Sequence, residues 1–234
     1  MNDITPKTIE LSIGHEDKSG VVHREVVFGK RIMGRDLFDL DDDPRAQGRT
    51  QRSDMIVRKA ITRFGTLPLP VELDVLMSLD RLDRRDLTRG YNEFAIESAG
   101  DRAPEFLSDS KVKLAFGFVR DGVVYDLVTF GKRLTGYDEL ESDTLGLSGL
   151  SQACFLIGKE IVQLSQSEGT QKIDGSVELS AFDTLDGADV FTLNTASEKW
   201  LDSFRPKRSS LQGKESNDGA AAGNEDGMER AANP

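Results

Sequence analysis

The chain carries 30 Lys and Arg against 41 Asp and Glu over 234 residues, a formal net charge of −11. That length fits one large domain or two small ones, and the acidic balance argues against a nucleic-acid ligand, whose phosphates need a basic surface. The single cysteine, Cys154, excludes an internal disulfide and a cysteine-built metal site, and no apolar run reaches signal-peptide or membrane-span length, so the chain reads as soluble and cytosolic.

Residues 8–14 (TIELSIG) alternate apolar and polar side chains and predict a half-buried strand. A polar turn at 16–20 and a return strand at 21–28 complete a hairpin. Residues 20–36, GVVHREVVFGKRIMGRD, then recur at 122–138 as GVVYDLVTFGKRLTGYD, with a constant offset of 102 and 10 of 17 positions identical. The match reads as an internal duplication. With one residue of slippage it extends upstream, where Leu11 and Gly14 correspond to Leu114 and Gly117, and it predicts a second hairpin over 112–118 and 123–130.

Each hairpin leads through Gly-Lys-Arg into a helix. Thr135 and Asp138 fit a capping box, Thr135 at the N-cap and Asp138 at N3, whereas the first copy has Met33, which cannot accept a backbone N–H. The helix after Met33 is predicted to be short, because Asp39, Asp41, Asp42 and Asp43 run into Pro44. Apolar spacing of Ile56, Val57, Ala60, Ile61 and Phe64 predicts a second helix over about 53–64 with Ser53 as N-cap, and its counterpart over about 151–164 with Ser151 as N-cap. A third helix opens near Pro70; in the second copy, over 165–182, it is expected to be lost or replaced by a strand. The run 79–87 (LDRLDRRDL) matches 182–190 (FDTLDGADV) at an offset of 103. It predicts a last helix in each copy, with Asp83 and Asp186 as N-caps and Asp86 and Asp189 at N3, beside the positive helix end.

The fold class expected is α+β: two tandem units, 1–97 and 110–204, each a hairpin with three or four short helices, joined by a polar linker at 98–109. The tail, 205–234, has too few apolar side chains to offset its ordering entropy and is expected to be disordered. Residues 8–97 carry a net charge of −2 and residues 111–204 a net charge of −7, so the second unit holds most of the acidity.

The repeated Phe-Gly-Lys-Arg has two readings. Lys30, Arg31, Lys132 and Arg133 form a partner-binding patch, or the motif is a strand end in which Phe packs, Gly permits a bend and the basic pair is solvated. The second is favoured, since duplicates keep structural residues most easily. The acidic run at 39–43 lacks the loop glycine and distal Glu of a calcium loop and reads as a solvated face. The spaced aspartates 80/83/86 and 183/186/189 read as helix caps rather than as metal ligands. The two histidines, His15 and His23, both lie in the first hairpin, and His23 becomes Tyr125 in the second copy. No nucleophile elbow, phosphate loop or dinucleotide fingerprint is present, so no catalytic residue, cofactor or metal is expected.

Lys30-Arg31-Ile32-Met33-Gly34-Arg35-Asp36-Leu37 and Lys132-Arg133-Leu134-Thr135-Gly136-Tyr137-Asp138 follow strand pairs and precede a closing helix with spaced Leu and Asp. This pattern resembles the tail assembly chaperones of tailed bacteriophages, particularly the small Mu-like type, with their R-x-x-T-G-x-D-L helix opening. The resemblance covers most of the first copy and the first half of the second. The chain departs from it in having two units, in Met33 for the Thr, and in Glu139 for the second Leu. The resemblance implies a non-enzymatic factor in the bacterial host cytoplasm, encoded by a phage or prophage. It would bind a tape-measure protein, keep it soluble and recruit tail-tube subunits, with no nucleic-acid or membrane partner and with self-association allowed. It also implies a longer form made by ribosomal frameshifting, for which Gly213-Lys214 offers a slippery run. The competing reading is a structural tail or virion component built from the tandem module, which purified particles would contain in stoichiometric amount.

Overall fold

In the computed structural model, which describes residues 4–46 and 48–205, the alternation at 8–14 becomes β1 (Lys7–Glu16), paired antiparallel with β2 (Val22–Phe28). A third strand, β3 (Ile61–Phe64), adds to the other edge of β2. The second sheet has five antiparallel strands in chain order: β4 (Glu105–Ser108), β5 (Lys111–Arg120), β6 (Val123–Phe130), β7 (Ile161–Ser165) and β8 (Lys172–Asp174). Eight α-helices are found among the described residues: α1 (Gly34–Asp41), α2 (Arg49–Ala60), α3 (Leu73–Ser78), α4 (Arg81–Ala99), α5 (Gly136–Thr144), α6 (Gly149–Glu160), α7 (Leu179–Phe182) and α8 (Gly187–Asp202). The class is α+β. Residues 206–234, including the tail and Gly213-Lys214, lie outside the described residues.

Helix α4 packs across β1 and α8 across β5. Buried side chains from both halves, from Leu11 to Ala196, form one continuous cluster. Phe28 stacks on Phe94 with ring centroids 6.2 Å apart, and Phe118 meets Phe182 edge-on at 5.3 Å.

Four local expectations are corrected. The helix foreseen over 53–64 ends at Ala60, and Ile61–Phe64 is a strand, as is Ile161–Ser165 after α6. In each strand the buried residues are three apart, Ile61 with Phe64 and Ile161 with Leu164, because the pairing with β2 or β6 is irregular there. A bulged strand thus presents an apolar spacing that continues the helical one. The helices begin earlier than foreseen, with Gly48 and Ser148 at their N-caps instead of Ser53 and Ser151. In the second half a short helix, α7, survives and the strand, β8, comes before it. The stretch 98–109, expected as a linker, contains the end of α4 and the edge strand β4.

The last helices also open differently. Asp80, not Asp83, caps α4, its Oδ1 accepting the Leu82 N–H at 2.7 Å. Asp186 caps α8 as expected, accepting from Ala188 at 2.9 Å. The structural equivalence at this point is therefore 80 with 186 and 83 with 189, an offset of 106. Asp86 lies further along α4 and pairs with Arg89 at 3.0 Å.

Candidate functional site

The two N3 carboxylates leave their own helices and hold the hairpins. Asp83 accepts the amides of Ser12 at 2.9 Å, Ile13 at 3.2 Å and Gly14 at 2.7 Å. Asp189 accepts those of Ala115 at 2.8 Å, Phe116 at 2.8 Å and Gly117 at 2.9 Å. Both sets of amides lie where the strand register slips, between Glu10 and His15 and between Lys113 and Phe118, so they have no ladder partner. Gly14 and Gly117 have φ of +86° and +76°, and an added Cβ would sit 2.5 Å from the His23 carbonyl oxygen and 2.6 Å from that of Tyr125. Glycine is required there. Burial raises the Asp189 carboxyl above its ordinary range; the three amides oppose that shift and the nearby Asp186 carboxylate adds to it.

The Phe-Gly-Lys-Arg motifs take the strand-end role in both halves. Phe28 and Phe130 are buried. Gly29 and Lys30 donate to the Ala60 carbonyl at 3.2 and 3.4 Å, while Gly131 and Lys132 donate to that of Glu160 at 3.0 and 3.1 Å. Lys30 and Lys59 share Asp36, at 3.1 and 3.2 Å; Lys132 and Lys159 share Asp138, at 3.2 and 3.3 Å. The capping box at Thr135 is present, with the Thr135 N–H bound to Asp138 at 2.9 Å. That amide bond is the largest of the contacts that, with the two ammonium groups, hold the Asp138 carboxyl far below its usual range against the cost of burial. At Met33 the reciprocal half of the box survives, since its N–H reaches Asp36 at 3.1 Å.

The arginines diverge. Arg31 is turned inward, bidentate to Asp186 at 2.5 and 2.9 Å, with Nη1 donating to the Ala95 carbonyl at 3.0 Å and to Ser98, and with its guanidinium 4.1 Å from the Phe116 ring centroid. Arg133 is exposed; it lies 4.7 Å over the Phe204 ring and has no carboxylate partner among the described residues. The four basic residues therefore do not form one exposed patch: Arg31 is consumed at the junction of the two halves, where the guanidinium's fork geometry and five donors suit a partly buried pair.

That junction has further contacts. Gly34 and Arg35, the first amides of α1, donate to the carbonyls of Leu185 at 2.8 Å and Asp183 at 3.1 Å, and Gly187 donates to that of Ile32 at 2.8 Å. The Thr cap missing at Met33 is thus offset by the other half of the chain. Asp41, in the acidic run, accepts the Leu150 N–H near the start of α6 at 2.5 Å and pairs with Arg52. It acts as a helix cap across the junction. Beside Arg31 and Asp186 lies a cleft of about 270 Å³, lined largely by apolar groups including Ile56, Tyr91, Ala95, Ala188 and the half-exposed Phe191. Burial, with the Asp186 carboxylate nearby, pushes the Tyr91 hydroxyl up to about 12. Sequence reasoning missed this cleft, because α2, α4 and α8 come from distant stretches.

His23 is buried and holds Asp17 at 3.0 Å, so it serves the first turn; Tyr125 is its buried counterpart. Cys154 is buried, and desolvation pushes its thiol up to about 12, well away from the reactive thiolate. Among the described residues no group of three or more His, Cys, Asp and Glu is placed to hold a metal ion, and no helix is long and apolar enough to cross a membrane. No family model matches the chain, and no curated protein or solved structure is significantly similar to it.

Proposed function

We propose that the chain is a tandem of one α+β unit used twice and that it acts as a phage tail assembly chaperone, holding a long helical tape-measure protein soluble in the host cytoplasm and passing it to tail-tube subunits. The carrying observation for the tandem unit is the repeated clamp, Asp83 on residues 12–14 and Asp189 on residues 115–117. The observation that favours helix binding is the apolar cleft between α4 and α8, bordered by Phe191, Ala188 and Tyr91. Such a groove suits the apolar face of an amphipathic helix, which offers side chains at helical spacing. The resemblance in the two helix openings supplies the class of partner. No catalytic role is assigned to any residue.

The test is co-expression with the tape-measure protein of the same phage or prophage. The chaperone should keep that partner in the soluble fraction and co-purify with it. Phe191→Asp, a change at a half-exposed position, should weaken the complex at least about tenfold, as a groove anchor does, while leaving the circular dichroism unchanged. A partner that stays insoluble beside the parent chain refutes the reading. Recovery of the chain from purified particles in stoichiometric amount would instead favour a structural tail component.

A further inference from the structure

The junction between the halves is used in one direction only. The helix opening of the first half (Arg31, Ile32, Gly34, Leu37) sits on the start of α8, with Arg31 on Asp186, the Gly187 amide on Ile32 and Gly34 against the Phe182 carbonyl. The reverse contact, in which the opening of the second half would sit on the start of α4, is not made among the described residues. Both surfaces are exposed: the Arg133 side chain meets only the Phe204 ring, and the Asp80 carboxylate only the Leu82 amide of its own helix, in the contacts found among the described residues. On α5, an added Cβ at Gly136 meets nothing within 4 Å, whereas at Gly34 it would lie 2.0 Å from an oxygen. Tyr137 and Leu140 are 84% and 59% exposed. On the other side Asp80, Arg81 and Leu82 are exposed at the start of α4, where Asp186 and Gly187 are buried in the second half.

The substitutions at these exposed surfaces are complementary. Arg133 stands where Arg31 does, and Asp80 where Asp186 does, so the central ion pair can be remade. Leu37 lies 3.4 Å from the Cβ position of Gly187. In the unused surfaces the same two places are taken by Glu139 and Arg81. An apolar contact in the built junction becomes an acid–base pair in the unbuilt one. Exposed Leu140 on one side and Leu82 on the other supply apolar area.

We infer that this protein binds a second copy of itself head to tail, the α5 opening of one chain (Arg133, Glu139, Leu140) docking on the start of α4 of the next (Asp80, Arg81, Leu82) as an intermolecular repeat of its internal junction. A contact between two different surfaces of identical chains leaves one of each free at the ends, so it closes into a ring or extends into a filament. The charged pairs make it wetter and more salt-sensitive than the internal junction. The inference rests on the tandem-unit reading and is independent of the tape-measure partner.

The experiment is sedimentation velocity on the full chain over a concentration series, at low and high salt. The parent should show a mass that rises with concentration past the dimer or settles at a closed ring, and that falls with salt. Asp80→Arg and Arg133→Glu, both at exposed positions, should each weaken association at least about tenfold, because each chain then carries one damaged surface. Mixed one to one, the two variants should assemble past the dimer again, since the intact Arg133 surface of one meets the intact Asp80 surface of the other and the two reversed charges face each other as an inverted pair. A parent that stays monomeric throughout, a single variant that associates as the parent does, or a mixture that stays monomeric overturns the inference. None of these outcomes bears on the co-expression test, and a loss of tape-measure binding leaves the assembly result standing.

Discussion

Removing the Asp189 carboxylate strikes the second hairpin at its least replaceable point. Oδ1 serves the Ala115 amide and Oδ2 serves those of Phe116 and Gly117, all at 2.8–2.9 Å. The hydrogen bond to Gly117 is buried and the other two are partly buried. An orphaned buried amide costs about 1–3 kcal/mol, and a partly buried one recovers some of that from water. Asp189→Ala should therefore cost about 4 kcal/mol, a large share of the roughly 5–15 kcal/mol that holds a domain together. Asp189→Asn keeps one oxygen; if that oxygen faces Phe116 and Gly117, its NH2 group faces the Ala115 donor and leaves it unpaired. It also relieves the cost of burying a carboxylate, the cause that raises the Asp189 carboxyl. Asn should thus cost less, about 2 kcal/mol. Urea unfolding monitored by circular dichroism measures both, with an unchanged slope showing that the unfolded state is the same. Asp83→Ala, acting on residues 12–14, should behave like Asp189→Ala. An Asp189→Ala variant within about 1 kcal/mol of the parent would refute the view that these carboxylates hold the bulges.

Two further outcomes are expected. Gly34→Ala should lose about 3 kcal/mol or more, because the new methyl group would lie 2.0 Å from the Phe182 carbonyl and push the halves apart, while Gly136→Ala, in open space, should be neutral or gain up to about 1 kcal/mol from better helix propensity; thermal melts that shift equally for both would contradict the assigned junction. Glu160 is buried with its carboxylate on Ser197 at 2.5 Å, and burial raises its carboxyl above the ordinary value of 4.5 despite that hydrogen bond. The folded chain then holds this proton more tightly than the unfolded chain, so the group's contribution to stability falls as pH rises from about 4.5 through the folded value. Glu160→Gln should flatten that part of the stability–pH curve, and an unchanged curve would show that Glu160 ionises without cost.

Much of the frame was legible in the sequence because it rests on local rules. The alternation at 8–14 and the repeat at 122–138 located both hairpins, since period-two burial and turn residues act over a few positions. Thr135, Asp138 and Asp186 could be read as cap residues for the same reason: a cap bonds amides two or three residues away. Asp83 and Asp189 show where such reading ends. From sequence they are acids near a helix start, and nothing local says that they reach residues 12–14 and 115–117. Strands β3 and β7 were hidden because an irregular ladder gave them helical spacing.

The sequence by itself determined the repeated hairpins, the α+β class and the caps at Thr135 and Asp186, all of which follow from interactions within about a dozen residues. Only the tertiary structure decided what two equivalent arginines do. Arg31 and Arg133 share a motif, but one is partly buried on Asp186 and the other lies exposed over Phe204. The motif cannot distinguish them, because the difference lies in which surface of the other half folds against each, and that depends on packing between segments some 150 residues apart.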